Sequence, residues 1–136
     1  MALVPDLARL RQGLLAPSQA GDAVDAAVMA CLREGDGGVE VLLCRRARRS
    51  DDPWSGHIAL PGGRLAAEDE DALAAARRET REEVGFDPLQ HGTLLGALEP
   101  LRPPPPLVTL AAFVVEIQAP VAVRLDAEID QAWWTP

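Results

Sequence analysis

The chain contains no lysine: all 13 basic residues among its 136 are arginine, set against 21 acidic ones for a net charge of −8. A balance this acidic offers no basic face to a phosphate backbone, which argues against nucleic acid as a partner. The arginine bias itself reads as a compositional habit. Cysteine is scarce: Cys31 and Cys44 are alone, each inside an apolar run and without metal-ligand spacing. They read as buried strand thiols in a reducing compartment. No apolar run approaches the roughly 20 residues of a membrane span, and no signal peptide opens the chain, so a soluble, cytoplasmic protein with no membrane partner is expected. Internal repeats are also missing. The length predicts one domain over residues 1–136 with a single core.

The remaining sequence reads as alternating elements. Residues 5–15 carry Leu7, Leu10 and Leu14 at helical spacing, within an N-terminal extension over residues 1–20. Residues 25–32 and 39–44 read as strands joined by Gly-Asp-Gly-Gly at 35–38, a hairpin signal. Residues 93–98 read as another strand. The prolines at 103–106 cannot enter a sheet ladder and make a stiff extended loop, after which residues 107–117 form the longest β-like run and a central strand.

Chemistry concentrates in residues 60–86, LPGGRLAAEDEDALAAARRETREEVGF. On a helix, Glu79, Glu82 and Glu83 stand at i, i+3 and i+4, so three carboxylates crowd one face. Each like-charge pair costs roughly 0.2–0.5 kcal/mol even when exposed, so a cation is expected among them, and carboxylate oxygens suit Mg²⁺ or Mn²⁺. The alternative is a solvated acidic face. Leu73, Ala76, Thr80 and Val84 form an adjoining stripe that would pack on a sheet, which places the acidic face at the border of the core. Gly62 and Gly63 allow a backbone to approach a phosphate or metal closely, and Gly85 suits a helix C-cap.

Gly63, Arg78, Glu79, Glu82, Glu83 and Gly85 together resemble the Nudix box, which would occupy residues 62–86. The resemblance implies an α/β fold, the Nudix α/β/α sandwich with a mixed sheet. It also implies divalent-metal-dependent hydrolysis of a diphosphate bond in a nucleotide-containing small molecule. By resemblance, the Gly63 carbonyl joins Glu79, Glu82 and Glu83 as metal ligands, and Glu82 or Glu79 acts as general base. Arg78 is expected to point away from the metal and to pair with Asp69 or Glu70. Two departures stand out: Thr80 occupies an aliphatic position, and the interval from Gly63 to Arg78 is one residue longer than usual.

A box lengthened in this way is similar to the coenzyme A pyrophosphatase branch, where Asp69 aligns with the early acidic position. That branch carries a signature ahead of the box, matched in part by Leu42, Leu43, Cys44, Arg45, Arg46 and Ala47, then Gly56 and Leu60 to Gly63. Cys44 replaces Thr, Leu60 replaces Phe, and Asp51 falls near an expected Arg. The resemblance implies coenzyme A or an acyl derivative as substrate, split to 3',5'-ADP and a phosphopantetheine. The alternatives are a general nucleoside diphosphate pyrophosphatase and a non-catalytic binding module. Arg45 and Arg46, with Gly62, are candidates for holding substrate phosphates, the alternative for the arginine cluster being a solvated loop. Trp54 reads as a packing or lid residue, with stacking on an adenine as the alternative, His57 as a hydrogen-bonded structural histidine in preference to a general base, and Glu116 as an extra ligand only if its face turns to the cleft. Glu128, in the closing DAEIDQAWWTP, is an auxiliary carboxylate candidate. The helix that usually follows in the family is missing, which implies a truncated form or a surface covered in a homodimer.

Overall fold

The structure is a computed structural model that describes residues 7–20, 23–48, 50 and 55–136. Its elements run α1 (Leu7–Gln12), β1 (Ala26–Gly35), β2 (Gly38–Arg46), β3 (Ile58–Ala59), β4 (Gly62–Arg64), α2 (Ala72–Val84), α3 (Pro88–His91), β5 (Gly92–Ala97), β6 (Leu110–Ile117) and β7 (Ile129–Thr135). The strands form one seven-stranded sheet of order β3-β2-β1-β6-β5, with β4 pairing β1 and β7 pairing β2. It is mixed: β1 runs parallel to β6 and antiparallel to β2 and β4.

The hairpin forms where expected but is longer on both arms, with Gly35 opposite Gly38 and Asp36-Gly37 as the turn. The strand expected from residue 107 begins at Leu110, because Leu107 and its neighbours remain in the loop that leaves the proline run. Among the described residues the first helix spans Leu7–Gln12 and ends short of the expected residue 15; Gly13 and Leu14 close it with bonds to the Leu10 and Arg11 carbonyls, and its expected start at Pro5 lies outside the described residues. The four-residue helix α3 is too short to carry a period that the sequence could show.

Alternation sorts the side chains onto two faces. Ala27, Met29 and Cys31 of β1, Leu42 and Cys44 of β2, and Ala111, Phe113, Val115 and Ile117 of β6 point to the face that receives Ala72, Ala75, Ala76 and Val84 of α2. Those alanines favour the helix and let it lie close to the sheet. On the other face, Leu7 of α1 packs with Leu95 and Val114, which completes the α/β/α sandwich. Cys31 and Cys44 are buried strand thiols, pushed up to about 12 chiefly by burial.

The sheet splits at β1, and this split positions the site. Residues Ala26, Ala27 and Val28 pair with β4, whereas Leu32 to Gly35 pair with β2. From Val41 to Arg46, β2 pairs with β7, and at Cys44 and Arg45 it pairs with β3 as well. The double-glycine strand β4 therefore fills the gap beside β1, directly against α2.

Candidate active site

Helix α2 carries the acidic face. Asp71 begins it, its side chain accepting from the Ala74 N–H at 2.8 Å, and Gly85 ends it at φ +83° with its N–H bonded to the Arg81 carbonyl. An N-cap of this kind stabilises by about 1 kcal/mol, and the left-handed C-cap suits glycine. Thr80 is fully buried on the sheet side, where its hydroxyl donates to the Ala76 carbonyl at 2.7 Å. The departure from an aliphatic residue thus leaves no polar group unsatisfied.

The three glutamates occupy different environments. Glu83 is only 3% exposed and accepts the Gly62 N–H at 3.0 Å. Burial pushes its carboxyl up to about 8, with the charges of Glu79, Asp126 and Glu128 acting in the same direction and the Gly62 bond opposing them. Glu79 is largely buried and also raised by burial, partly offset by Arg78. Glu82 is exposed and turned toward Arg78, 3.3 Å away.

Arg78 grips Asp69 with both ends of its fork, Nε to Oδ1 and Nη2 to Oδ2, each at 2.9 Å. Asp69 also accepts the Ala66 N–H at 2.7 Å, so of the two acids open to Arg78 it is Asp69 that ties the loop to α2. The Arg78 side chain holds Asp69 below the usual carboxylate range. Arg78 does not point away from the glutamates, however. Its remaining Nη1 reaches Glu79 at 3.1 Å and Glu82 at 3.3 Å, because a guanidinium fork spent on Asp69 still has a donor facing the helix.

A cleft of about 590 Å³ opens over this face, lined by Arg46, Gly62, Gly63, Arg64, Glu79 and Glu128, with Pro106, Leu107 and Val108 as an apolar wall. Gly63 abuts Glu79 so closely that a Cβ there would lie 2.7 Å from its carboxyl carbon. The structure therefore brings Glu79, Glu83, Gly62, Gly63, Arg46 and Glu128 together. Arg45 stands apart: Asp130 holds it at 2.8 and 3.1 Å across the β2–β7 pair. Glu116 turns the other way, into a cavity with Leu7, Arg11 and Leu95 beside α1. His57 is exposed, and its carbonyl accepts the Arg46 N–H at 3.0 Å. Trp54 and Asp51 lie outside the described residues.

Two site residues escaped the sequence reading. Arg64 follows the double glycine directly, and its only signal was that adjacency. Asp126 holds the Glu128 N–H at 2.9 Å, and its own N–H bonds the Glu83 carbonyl at 3.4 Å. An Asx turn two residues before a carboxylate was its available signal.

Among the described residues no three His, Cys, Asp or Glu side chains converge as a ready cation cage. Glu82 is drawn to Arg78 and Glu83 to the Gly62 N–H. The donor set still fits a hard divalent cation. It consists of oxygen ligands, and Glu79, Asp126 and Glu128 gather like charge around one buried carboxyl. Among the described residues no helix is long and apolar enough to cross a membrane.

The NUDIX domain model matches residues 24–136. An uncharacterized protein of Schizosaccharomyces pombe is 39% identical over 103 residues, covering 71% of this chain and 31% of that protein. The mitochondrial Nudix hydrolase 15 of Arabidopsis thaliana is 44% identical over 64 residues, covering 46% of this chain and 22% of its own length. The chain thus spans less than a third of these relatives. Among solved structures, a C. elegans Ap4A hydrolase binary complex superposes with a TM-score of 0.68 at 25% identity, covering 81% of this chain and 78% of that one. The NUDIX domain of Shewanella oneidensis NrtR, complexed with ADP ribose, gives 0.61 at 18% identity, covering 97% and 84%, a likeness of fold.

Proposed function

The chain belongs to the NUDIX family, and from that premise we propose that it is a pyrophosphohydrolase acting on a nucleoside diphosphate linked to another group. One observation carries the proposal: a buried glutamate sits among like charges beside a double-glycine strand, under a cleft that also presents two arginines. Carboxylates gathered at this cost suit a divalent cation, and arginines facing them suit the phosphates of a diphosphate substrate.

Glu79, Glu82, Glu83 and the Gly63 carbonyl are the residues to hold Mg²⁺ or Mn²⁺, with Glu128 as an auxiliary. A bound ion supplies Lewis-acid polarisation of a phosphoryl oxygen and a more acidic water. The chain's own residues do the rest. Arg46 and Arg64 orient the diphosphate. Glu79, which lines the cleft with its proton affinity raised by burial, accepts the proton of the attacking water. Glu82, occupied with Arg78, suits that role less. Asp69 and Arg78 tie the box loop to α2.

The substrate proposed first is coenzyme A or an acyl derivative, on the strength of the partial signature from Leu42 to Ala47 and of the lengthened box. Arg45, tied to Asp130, contributes less to it than Arg46. A cytoplasmic setting belongs to this proposal; the mitochondrial address in one relative's name is that protein's own.

The test is a panel of coenzyme A, acetyl-coenzyme A, ADP-ribose, NADH, a dinucleoside polyphosphate and a nucleoside triphosphate, each with Mg²⁺ and product analysis. Release of 3',5'-ADP from coenzyme A is expected. Turnover confined to the other compounds would shift the substrate, and no metal-dependent turnover of any would leave a binding module.

A further inference from the structure

The cleft over the carboxylate face has two walls of opposite chemistry. Arg46, Arg64, Glu79 and Glu128 make a charged side, whereas Pro106, Leu107 and Val108 offer only carbon in their side chains. The cleft holds about 590 Å³, inside the roughly 300–1,000 Å³ of small-molecule sites, so there is room for more than the phosphates. Leu107 is 57% exposed, which leaves much of its apolar surface in water and free to be covered.

The apolar wall belongs to a loop whose base is fixed. Leu101 and Leu110 exchange backbone bonds, each at 2.9 Å. The Thr109 N–H and hydroxyl donate to the Asp25 carboxylate at 3.1 and 2.9 Å, and its carbonyl accepts the Asp25 and Ala26 N–H groups, both at 3.1 Å. Arg102 reaches the Ala23 carbonyl at 3.0 Å. Between these anchors the prolines at 103–106 restrict φ, and the Leu107 N–H bonds the Pro104 carbonyl at 3.3 Å. A wall held in this way loses little freedom when a ligand covers it, which favours binding.

What this wall can recognise follows from its atoms. The side chains of Pro106, Leu107 and Val108 carry no donor, no acceptor and no aromatic ring, so a nucleobase meets nothing there to pair with or stack on. An alkyl chain sheds its water on the same surface at no polar cost. We propose that Leu107, with Pro106 and Val108 beside it, determines specificity by covering an aliphatic stretch of the group esterified to the phosphoryl remote from the nucleoside. The nucleoside itself lies away from this wall. This rests on the pyrophosphohydrolase reading and deepens it: the selection falls on the second ester group, whichever nucleoside the substrate carries.

Calorimetric titration of the full chain in Mg²⁺ buffer tests it, with the methyl and butyl esters of α,β-methylene-ADP, alkylated on the β-phosphoryl and resistant to hydrolysis. A fully buried methylene is worth about fourfold in affinity, so three of them lying on one wall should make the butyl ester bind at least about tenfold more tightly than the methyl ester. In L107S that gain should fall below about threefold, with the circular dichroism melt retained because the position is exposed. L107M should keep the gain, and so should L101S, at a leucine that is 63% exposed and lies outside the cleft lining. Equal binding of the two esters by the parent, or a gain that survives L107S, overturns the assignment. So does a gain lost equally in L101S, which would mark a general effect on the loop. Weaker binding of the methyl ester by L107S, with no chain-length gain in the parent, would put the nucleobase on the wall and overturn it as well. A gain lost in L107S by a protein that hydrolyses no diphosphate would keep this wall and sink the hydrolase reading. Hydrolysis without the gain would do the reverse.

Discussion

Glu83 concentrates the residue-scale argument, because burial and neighbouring acids lift its carboxyl to about 8 in the protein without metal. An acid raised on folding favours the protonated form, so its presence costs little below its unfolded value near 4.5. The cost grows as pH rises from there toward 8 and levels off beyond, reaching a few kcal/mol at most. In EDTA, the thermal midpoint of Glu83→Gln should therefore gain on that of the parent between pH 5 and pH 8. A constant difference across that range would contradict the account. Asp69 has the opposite sign: Arg78 lowers its carboxyl, so its contribution is present above the unfolded value and lost as pH falls through the folded one. Denaturant midpoints can separate it from its exposed neighbour. Asp69→Asn should destabilise by about 1–3 kcal/mol, because a buried acceptor of charged donors is weakened, while Glu70→Gln should stay within about 0.5 kcal/mol.

At the scale of elements, the double-glycine strand β4 is the joint between sheet and helix. Gly62 sits at φ +158°, and a Cβ there would lie 2.3 Å from the Ala27 carbonyl oxygen and 2.6 Å from the Val28 Cα. Both obstacles are backbone of the strand that β4 pairs with, so neither can turn aside. Gly62→Ala should cost more than about 2 kcal/mol by urea unfolding. Gly37→Ala, with nothing within 4 Å, should change stability by under about 0.5 kcal/mol. This contrast also shows what the sequence makes legible. Alternation and the Gly-Asp-Gly-Gly turn reveal β1 and β2, and the alanine-rich spacing reveals α2, because those signals are local. The four-residue α3 is too short to show a period and is instead made by Asp87, which caps it at the Leu89 N–H and pairs with Arg77. The division of β1 between β4 and β2 depends on contacts distant in sequence. The same holds for the site: the box glutamates are visible as a spacing, whereas Arg64, Asp126 and the commitment of Arg45 to Asp130 follow from which strands meet.

At the scale of the whole molecule, an excess of eight negative charges is balanced unevenly. Arg77 and Arg45 neutralise acids at the margins of the sheet and helix and Arg78 holds Asp69 while only partly offsetting Glu79, so Glu79, Glu83 and Glu128 stay together around the cleft. Folding therefore assembles a concentration of carboxylate that the unfolded chain does not have, and a divalent ion that binds it stabilises only the folded state. At 100 times its dissociation constant, such an ion adds about 2.7 kcal/mol. Because the ligands must lose their protons, the gain should be larger at pH 8 than at pH 5, opposite in direction to the intrinsic effect of Glu83 in the absence of metal. Mn²⁺ should accordingly raise the thermal midpoint of the parent by several degrees at pH 8 and by less at pH 5. The Glu79→Gln/Glu83→Gln variant should show neither rise. An equal Mn²⁺ response in parent and variant would place the ion elsewhere on this acidic surface and remove the cation from the proposed chemistry.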